Sequence, residues 1–181
     1  MRVVFDLGSN IDREASLANA LERLSEHFEL RRCSSVYCSV PVGMANQPDY
    51  YNISLEVEAR QSPEEIRTLL RGIEDAMGRN RAVPKYGPRN IDIDILLYGE
   101  LVDEERQLPH PQTSEQLFVV MPLAELYPEE KHPVTGQTWA ELRRQLLRGR
   151  SPQDSGIKLQ GPLESLPLGP RAQTALSKAA R

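Results

Sequence analysis

Much that would announce a function outright is missing from this chain of 181 residues. No apolar run approaches the roughly 20 residues needed to span a bilayer, so no membrane span is expected. The formal net charge of −4 leaves no broad basic footprint, and nucleic acid is not an expected partner. Cysteine is nearly absent. Cys33 and Cys38 are five steps apart in an extended segment, roughly 16 Å and on opposite faces, which places them beyond disulfide reach and casts them as small packing residues. Neither Gly-x-x-x-x-Gly-Lys-Ser/Thr nor Gly-x-Gly-x-x-Gly occurs. A nucleotide, if one binds, must have its phosphates held by side-chain cations. The start, Met1-Arg2-Val3-Val4-Phe5-Asp6, reads as a strand and not as a signal peptide, and the cytoplasm is the expected compartment.

What is present centres on Ile91-Asp92-Ile93-Asp94-Ile95-Leu96-Leu97-Tyr98. In a strand the three isoleucines share one face and the two aspartates the other. Two carboxylates about 6–7 Å apart on one face repel each other unless a cation sits between them, and a hard divalent ion such as Mg²⁺ suits oxygen ligands. The same alternation also describes an ordinary half-buried strand with a polar outer face. Just upstream lies Gly78-Arg79-Asn80-Arg81-Ala82-Val83-Pro84-Lys85-Tyr86-Gly87-Pro88-Arg89. A solvated charged loop would read the same way, yet Gly87-Pro88 fixes the backbone just before Arg89. Acids for Mg²⁺ beside cations for phosphate are the two halves of a phosphoryl-transfer site.

The order of elements gives the fold class. Residues 2–7 read as a strand, 12–28 as a helix, 31–40 as a long strand and 51–57 as another strand. Ser62-Pro63-Glu64-Glu65 is a capping box with proline at the first helical position; it opens a helix striped by Ile66, Leu69, Leu70, Ile73 and Met77 and closed by Gly78. The acid strand follows. This is a ferredoxin-like βαββαβ core of the α+β class: an antiparallel sheet with both helices on one face, leaving the acid face open for a site. Two further helices are expected over 115–125 and 138–148, the second capped by Thr138. The expected division is a domain at 1–148 and a tail at 149–181, where alternating glycines and prolines show no sustained periodicity and predict disorder.

Other candidates have weaker individual signals. Tyr50 and Asn52 share a face at a strand start: the ring can stack on a flat heterocycle while the amide reads its edge, although a packing role is the simpler reading of Tyr50 alone. Glu74 near a helix end is by itself an ordinary surface acid. His110, between Pro109 and Pro111, is held in a fixed extended or turn conformation. The acids and cations alone also fit a generic metal-dependent phosphodiesterase, which leaves the aromatic–amide pair unused.

Gly8-Ser9-Asn10, Gln47 to Asn52, Gly78-Arg79, Gly87-Pro88-Arg89, Ile91-Asp92-Ile93-Asp94-Ile95 and Pro109-His110 together resemble the 6-hydroxymethyl-7,8-dihydropterin pyrophosphokinase family over about residues 3–147. The resemblance implies transfer of pyrophosphate from ATP to the hydroxymethyl group of a reduced pterin, leaving AMP, in folate biosynthesis. It implies two Mg²⁺ ions on Asp92 and Asp94; a pterin pocket of Ser39, Val42, Tyr50, Asn52 and Phe118; nucleotide contacts from Glu74, Arg79, Arg81, Lys85, Arg89 and His110; and Arg79, Arg89 and Asp94 as the catalytic set. The partners are then ATP and the pterin, and the protein a monomer. The chain departs from the family pattern at Gln112 and Gln116, where basic residues are usual, and at Asp6, where a small residue is usual. These departures leave a second reading, a catalytically weakened member that binds pterin or a partner protein.

Overall fold

A computed structural model describes residues 1–41, 46–79 and 87–179. In chain order the elements are β1 (Arg2–Ser9), α1 (Arg13–Leu24), β2 (Glu29–Cys33), β3 (Val36–Ser39), β4 (Tyr50–Glu58), α2 (Pro63–Ala76), β5 (Asp92–Tyr98), α3 (Gln112–Glu115), α4 (Leu117–Leu126), α5 (Trp139–Leu147), β6 (Ile157–Gly161) and α6 (Pro170–Ala179). The strands form an antiparallel sheet in the order β5-β1-β4-β3-β6, with β2 also paired to β4. The first five strands and two helices make the ferredoxin-like core that the element order predicts.

Alternation along the strands sorts the sheet into two faces. Val3, Phe5 and Leu7 of β1, Ile53, Leu55 and Val57 of β4, and Ile93 and Ile95 of β5 join Leu17, Leu21 and Leu24 of α1 and Ile66, Leu70 and Ile73 of α2 in the main core. The capping box of α2 is closed in both directions: Ser62 Oγ accepts from the Glu65 amide, and the Glu65 carboxylate accepts from the Ser62 amide. α1 stops at Leu24, short of Phe28, which packs edge-on against Phe5.

On the other face, α4 and α5 cover only one end of the sheet. Val119, Val120, Leu123, Trp139 and Leu142 meet Val4, Leu96 and Leu97 there. Two adjacent leucines reach the same face because the β1–β5 ladder slips: Phe5 pairs with Ile95, but Val4 pairs with Leu97. Leu96 is the extra residue of a β-bulge. The uncovered end of this face carries Asp92, Asp94, Asp6, Gly8 and Asn52.

Three expectations are corrected. The strand over 31–40 is two strands, broken where Ser34 Oγ accepts from the Ser54 amide and donates to the Ser35 carbonyl. The helix over 115–125 is α3 and α4, interrupted by Gln116 in an extended conformation. The expected disorder after residue 149 gives way to β6 on the edge of β3 and α6 over the main core. Leu163, Leu166 and Ala172 are buried there. Their spacing fits neither repeat, because they complete a surface already shaped by α1 and β2. Ala172→Asp, which would bury a charge without a partner, is therefore expected to cost about 3 kcal/mol or more in urea unfolding of the intact chain, whereas a loose tail would leave the midpoint unchanged.

Candidate active site

A cavity of about 410 Å³ opens on the uncovered face. Its floor is built from neighbouring strands. Asp92 lies opposite Gly8, which lies opposite Asn52; in the next row, Asp94 lies opposite Asp6, which lies opposite Ser54. Gly8 keeps this floor low, since a Cβ there would come within 3.2 Å of Asn52 Oδ1 and 3.8 Å of the Tyr50 ring. Ser39, Tyr50, Asn52 and Phe118 line the cavity together with Arg89, Asp92, Asp94 and His110. Asn52 Nδ2 donates to Ser39 Oγ at 2.7 Å, which fixes the amide's orientation. The Tyr50 hydroxyl donates to the Gly87 carbonyl at 3.1 Å and so ties the aromatic to the end of the cationic loop.

Asp92 is the hub of the charged part. Its Oδ1 accepts from Arg79 and its Oδ2 from Arg89, one guanidinium to each oxygen. The same Arg79 nitrogen, Nη1, also meets Glu74 at 2.6 Å and the Ile91 carbonyl at 3.0 Å. Glu74, only 5% exposed, also accepts from the Ile93 amide at 2.9 Å, so a helix-end acid is stapled to the acid strand. Arg89 is fixed through its backbone, which exchanges hydrogen bonds with Asn10. Glu74 and Arg79 line a smaller cavity of about 200 Å³ with Arg67 and Arg71, and it shares Asp92, Asp94, Gln107 and His110 with the larger one.

Asp94 has no comparable clamp among the described residues. Burial, and then the charge of Asp92, push its carboxyl up to about 6 against the opposing pull of Arg79 and Arg89. Asp6 is pushed well above the usual carboxylate range by burial and by Asp94 and Asp92. Its Oδ1 is buried without a hydrogen-bond partner among the described residues, as is Oγ of the adjacent Ser54. His110 is pinned by its amide to the Leu96 carbonyl at 2.9 Å; burial and Arg67 lower its basicity, so the ring is neutral at pH 7. The Gln112 amide donates to Nδ1 at 3.4 Å, which puts the ring proton on Nε2.

Val42, Arg81 and Lys85 lie outside the described residues. Gln112 and Gln116 line the larger cavity. Sequence reasoning did not single out Gln107, Arg67 and Arg71. Gln107 lies in an irregular loop with φ 51°, and nothing in its neighbours marks it. The two arginines fall on the exposed stripe of α2 and look like ordinary helix-surface cations.

With this geometry in hand, comparison with known proteins is decisive. The sequence pattern of the 7,8-dihydro-6-hydroxymethylpterin-pyrophosphokinase family matches residues 4–128. The chain belongs to that family. A Bacillus subtilis 2-amino-4-hydroxy-6-hydroxymethyldihydropteridine pyrophosphokinase is 40% identical over 138 residues, 73% of this chain and 82% of that protein. A Synechocystis protein of the same name is 37% identical over 167 residues, 89% of this chain and 85% of its own. Crystal structures of Plasmodium falciparum HPPK-DHPS superpose with TM-scores of 0.71 and 0.68 at 15% and 16% identity. They cover 87% of this chain, which spans a little under half of theirs, and at that identity they establish the fold.

The raised carboxyls of this pyrophosphokinase-family site fix a sign for pH dependence. A carboxyl whose folded-state pKa exceeds its unfolded value disfavours the folded state as pH rises from the unfolded value to the folded one. For Asp94, from about 4 to about 6, this amounts to roughly 3 kcal/mol, and Asp6 acts in the same direction. His110 and His132, whose basicity burial lowers, act with the opposite sign below about pH 6.5, so the test is a difference between two proteins. In thermal unfolding without added metal, Asp6→Asn should gain stability relative to the parent as pH rises from about 4 to about 7; a difference that stays flat or shrinks contradicts this electrostatic picture.

Proposed function

We propose that this chain transfers the pyrophosphoryl group of ATP to the hydroxymethyl group of 6-hydroxymethyl-7,8-dihydropterin, giving AMP and the pterin diphosphate for folate synthesis. The observation that carries the reading is the continuity of one cavity. The aromatic and amide groups suited to a flat heterocycle, Tyr50, Asn52 and Phe118, line the same space as Asp92, Asp94 and Arg89.

In this reading the pterin ring lies between Tyr50 and Phe118, and Asn52, held by Ser39, reads its edge. Val42 belongs to the same pocket by resemblance. The triphosphate runs across Arg79 and Arg89, with Arg81 and Lys85 added by resemblance, Glu74 positioning Arg79, and neutral His110 offering Nε2–H between the two cavities. Guanidinium forks match phosphate oxygens, and fixed ones stabilise charge on the transferring group without reorganisation.

The residues fit a divalent ion. The larger cavity is lined by Asp6, Asp92, Asp94 and Glu115 against a single described arginine, Arg89, so a bare polyphosphate meets net repulsion there. Among the described residues no three acidic, histidine or cysteine side chains converge into a ready-made cage. That suits Mg²⁺, which takes one or two carboxylates and fills its remaining positions with phosphate oxygens and water. Asp92 and Asp94 would hold two such ions, which neutralise phosphate charge and align an in-line displacement. ATP is the co-substrate. Among the described residues no helix is long and apolar enough to cross a membrane; a monomer in the cytoplasm is the proposed state.

Purified protein given Mg-ATP and the reduced hydroxymethylpterin should release AMP. Asp94→Ala and Arg89→Ala should each lower kcat by about a hundredfold or more. Fluorescence titration should show Asp94→Ala still binding the pterin nearly as tightly as the parent. No AMP release at high enzyme concentration would end this assignment.

A further inference from the structure

The family pattern stops at residue 128, yet the chain after it returns to the cavity wall. β6 pairs with β3 in a register that sets Ile157 opposite Ser39, the residue whose hydroxyl fixes Asn52. The Val40 amide donates to the Gly156 carbonyl at 3.0 Å, and Val40 lines the cavity. Gly156 has φ 75°, and a Cβ there would come within 2.7 Å of Val40 Cγ2, so only glycine lets the two backbones lie this close. Ile157, 2% exposed, forms a small cluster with Tyr37 and Met121, and Leu117 and Phe118 pack against it. Ser39 and Val40 are thus backed by two consecutive tail residues, and Phe118 packs both against the cluster to which Ile157 belongs and against the second core of Val119, Leu123 and Trp139.

Phe118 needs such backing. It lies in the first turn of α4, just after the extended break at Gln116, and no side-chain cap secures that turn. An aromatic that must stack on a flat ring is useful only if its plane is held, and the cluster of Tyr37, Met121 and Ile157 is one of the two groups of side chains that hold it.

We propose that the C-terminal segment is part of the substrate site: Ile157, with Gly156 beside it, is a positioning residue that holds Phe118 and the Ser39–Val40 wall in place for the pterin. This rests on the pterin reading above. Ile157 touches neither substrate nor the reacting atoms. Its effect falls on the acceptor's binding and leaves the nucleotide half, built on α2 and β5, untouched.

The test uses the full chain with Ile157→Ala, Ile157→Val and, as a control for stability alone, Leu176→Ala on α6, which packs against the main core away from the cavity. Steady-state kinetics, pterin fluorescence titration and thermal unfolding are measured on each. Ile157→Ala should raise the pterin KM and Kd roughly five- to twentyfold, with kcat and the ATP KM within about twofold. Ile157→Val should return close to the parent. Leu176→Ala should lower Tm while leaving the pterin KM unchanged. The inference is overturned if Ile157→Ala binds the pterin as tightly as the parent, or if Leu176→Ala shifts pterin binding as much as Ile157→Ala does. A parent protein that neither binds the pterin nor releases AMP overturns the functional reading itself, and this inference with it.

Discussion

Asp92 held between Arg79 and Arg89 is the interaction on which the arrangement of the site depends. It exists because a period of two sends Ile91, Ile93 and Ile95 into the main core and leaves the intervening aspartates no direction but outward. The isoleucines fix register, since a slip of one residue would bury both carboxylates among α1 and α2. Core packing therefore places the charges. The bulge at Leu96 completes the separation by turning the same strand's apolar end onto the second face, where α4 and α5 close the sheet just short of the acids. One seven-residue strand thus serves two cores and one site.

The carboxylates are not equivalent, and the difference is environmental. Asp92 has a guanidinium on each oxygen. Asp94, two residues on, lacks that clamp among the described residues, and Asp6 faces it across the ladder with an oxygen that finds no partner among them. Burial and the charge of Asp92 raise the Asp94 carboxyl, and burial with the charges of Asp94 and Asp92 raises Asp6, which makes the corner unfavourable without a cation and favourable with one. The neutrality of His110 follows from the same burial acting on a base. These groups sit on rigid strands or on a loop pinned to β5, so their spacing is set by the sheet and not by side-chain flexibility.

How much of this was legible in the sequence follows from which signals are local. Alternation over 91–95, the capping box at Ser62 and the stripe of α2 are local, and the structure has them where the pattern puts them. The convergence of Tyr50, Asn52, Phe118, Asp92 and Arg89 on one cavity came from resemblance; no spacing shows it. The break at Ser34 depends on the amide of Ser54, twenty residues away, so the run 31–40 still reads as one strand. Asp6 becomes a site-floor residue only once β1 is registered against β5. The tail misled for a related reason. Its prolines and glycines are real, but Leu163, Leu166 and Ala172 fit a surface made by other elements, and a fit to distant partners leaves no period to detect.

The two arginines on Asp92 also differ in what holds them, and that difference assigns them different work. Arg79 has a second acid, Glu74, which is buried and is itself fixed by the Ile93 amide. Were Asp92 drawn toward a cation, Arg79 would keep its place on Glu74 and on the Ile91 carbonyl. Arg89 has no second acid among the described residues; only its backbone, tied to Asn10, is anchored. Its guanidinium leaves Asp92 at the loss of a single ion pair, and phosphate oxygens offer the same fork geometry in return. In the proposed reading, Arg79 is therefore the fixed post of the pair and Arg89 the arm that would change partner from Asp92 to phosphate. Asn10, by holding the base of that arm between β1 and the end of the cationic loop, sets how far it can reach.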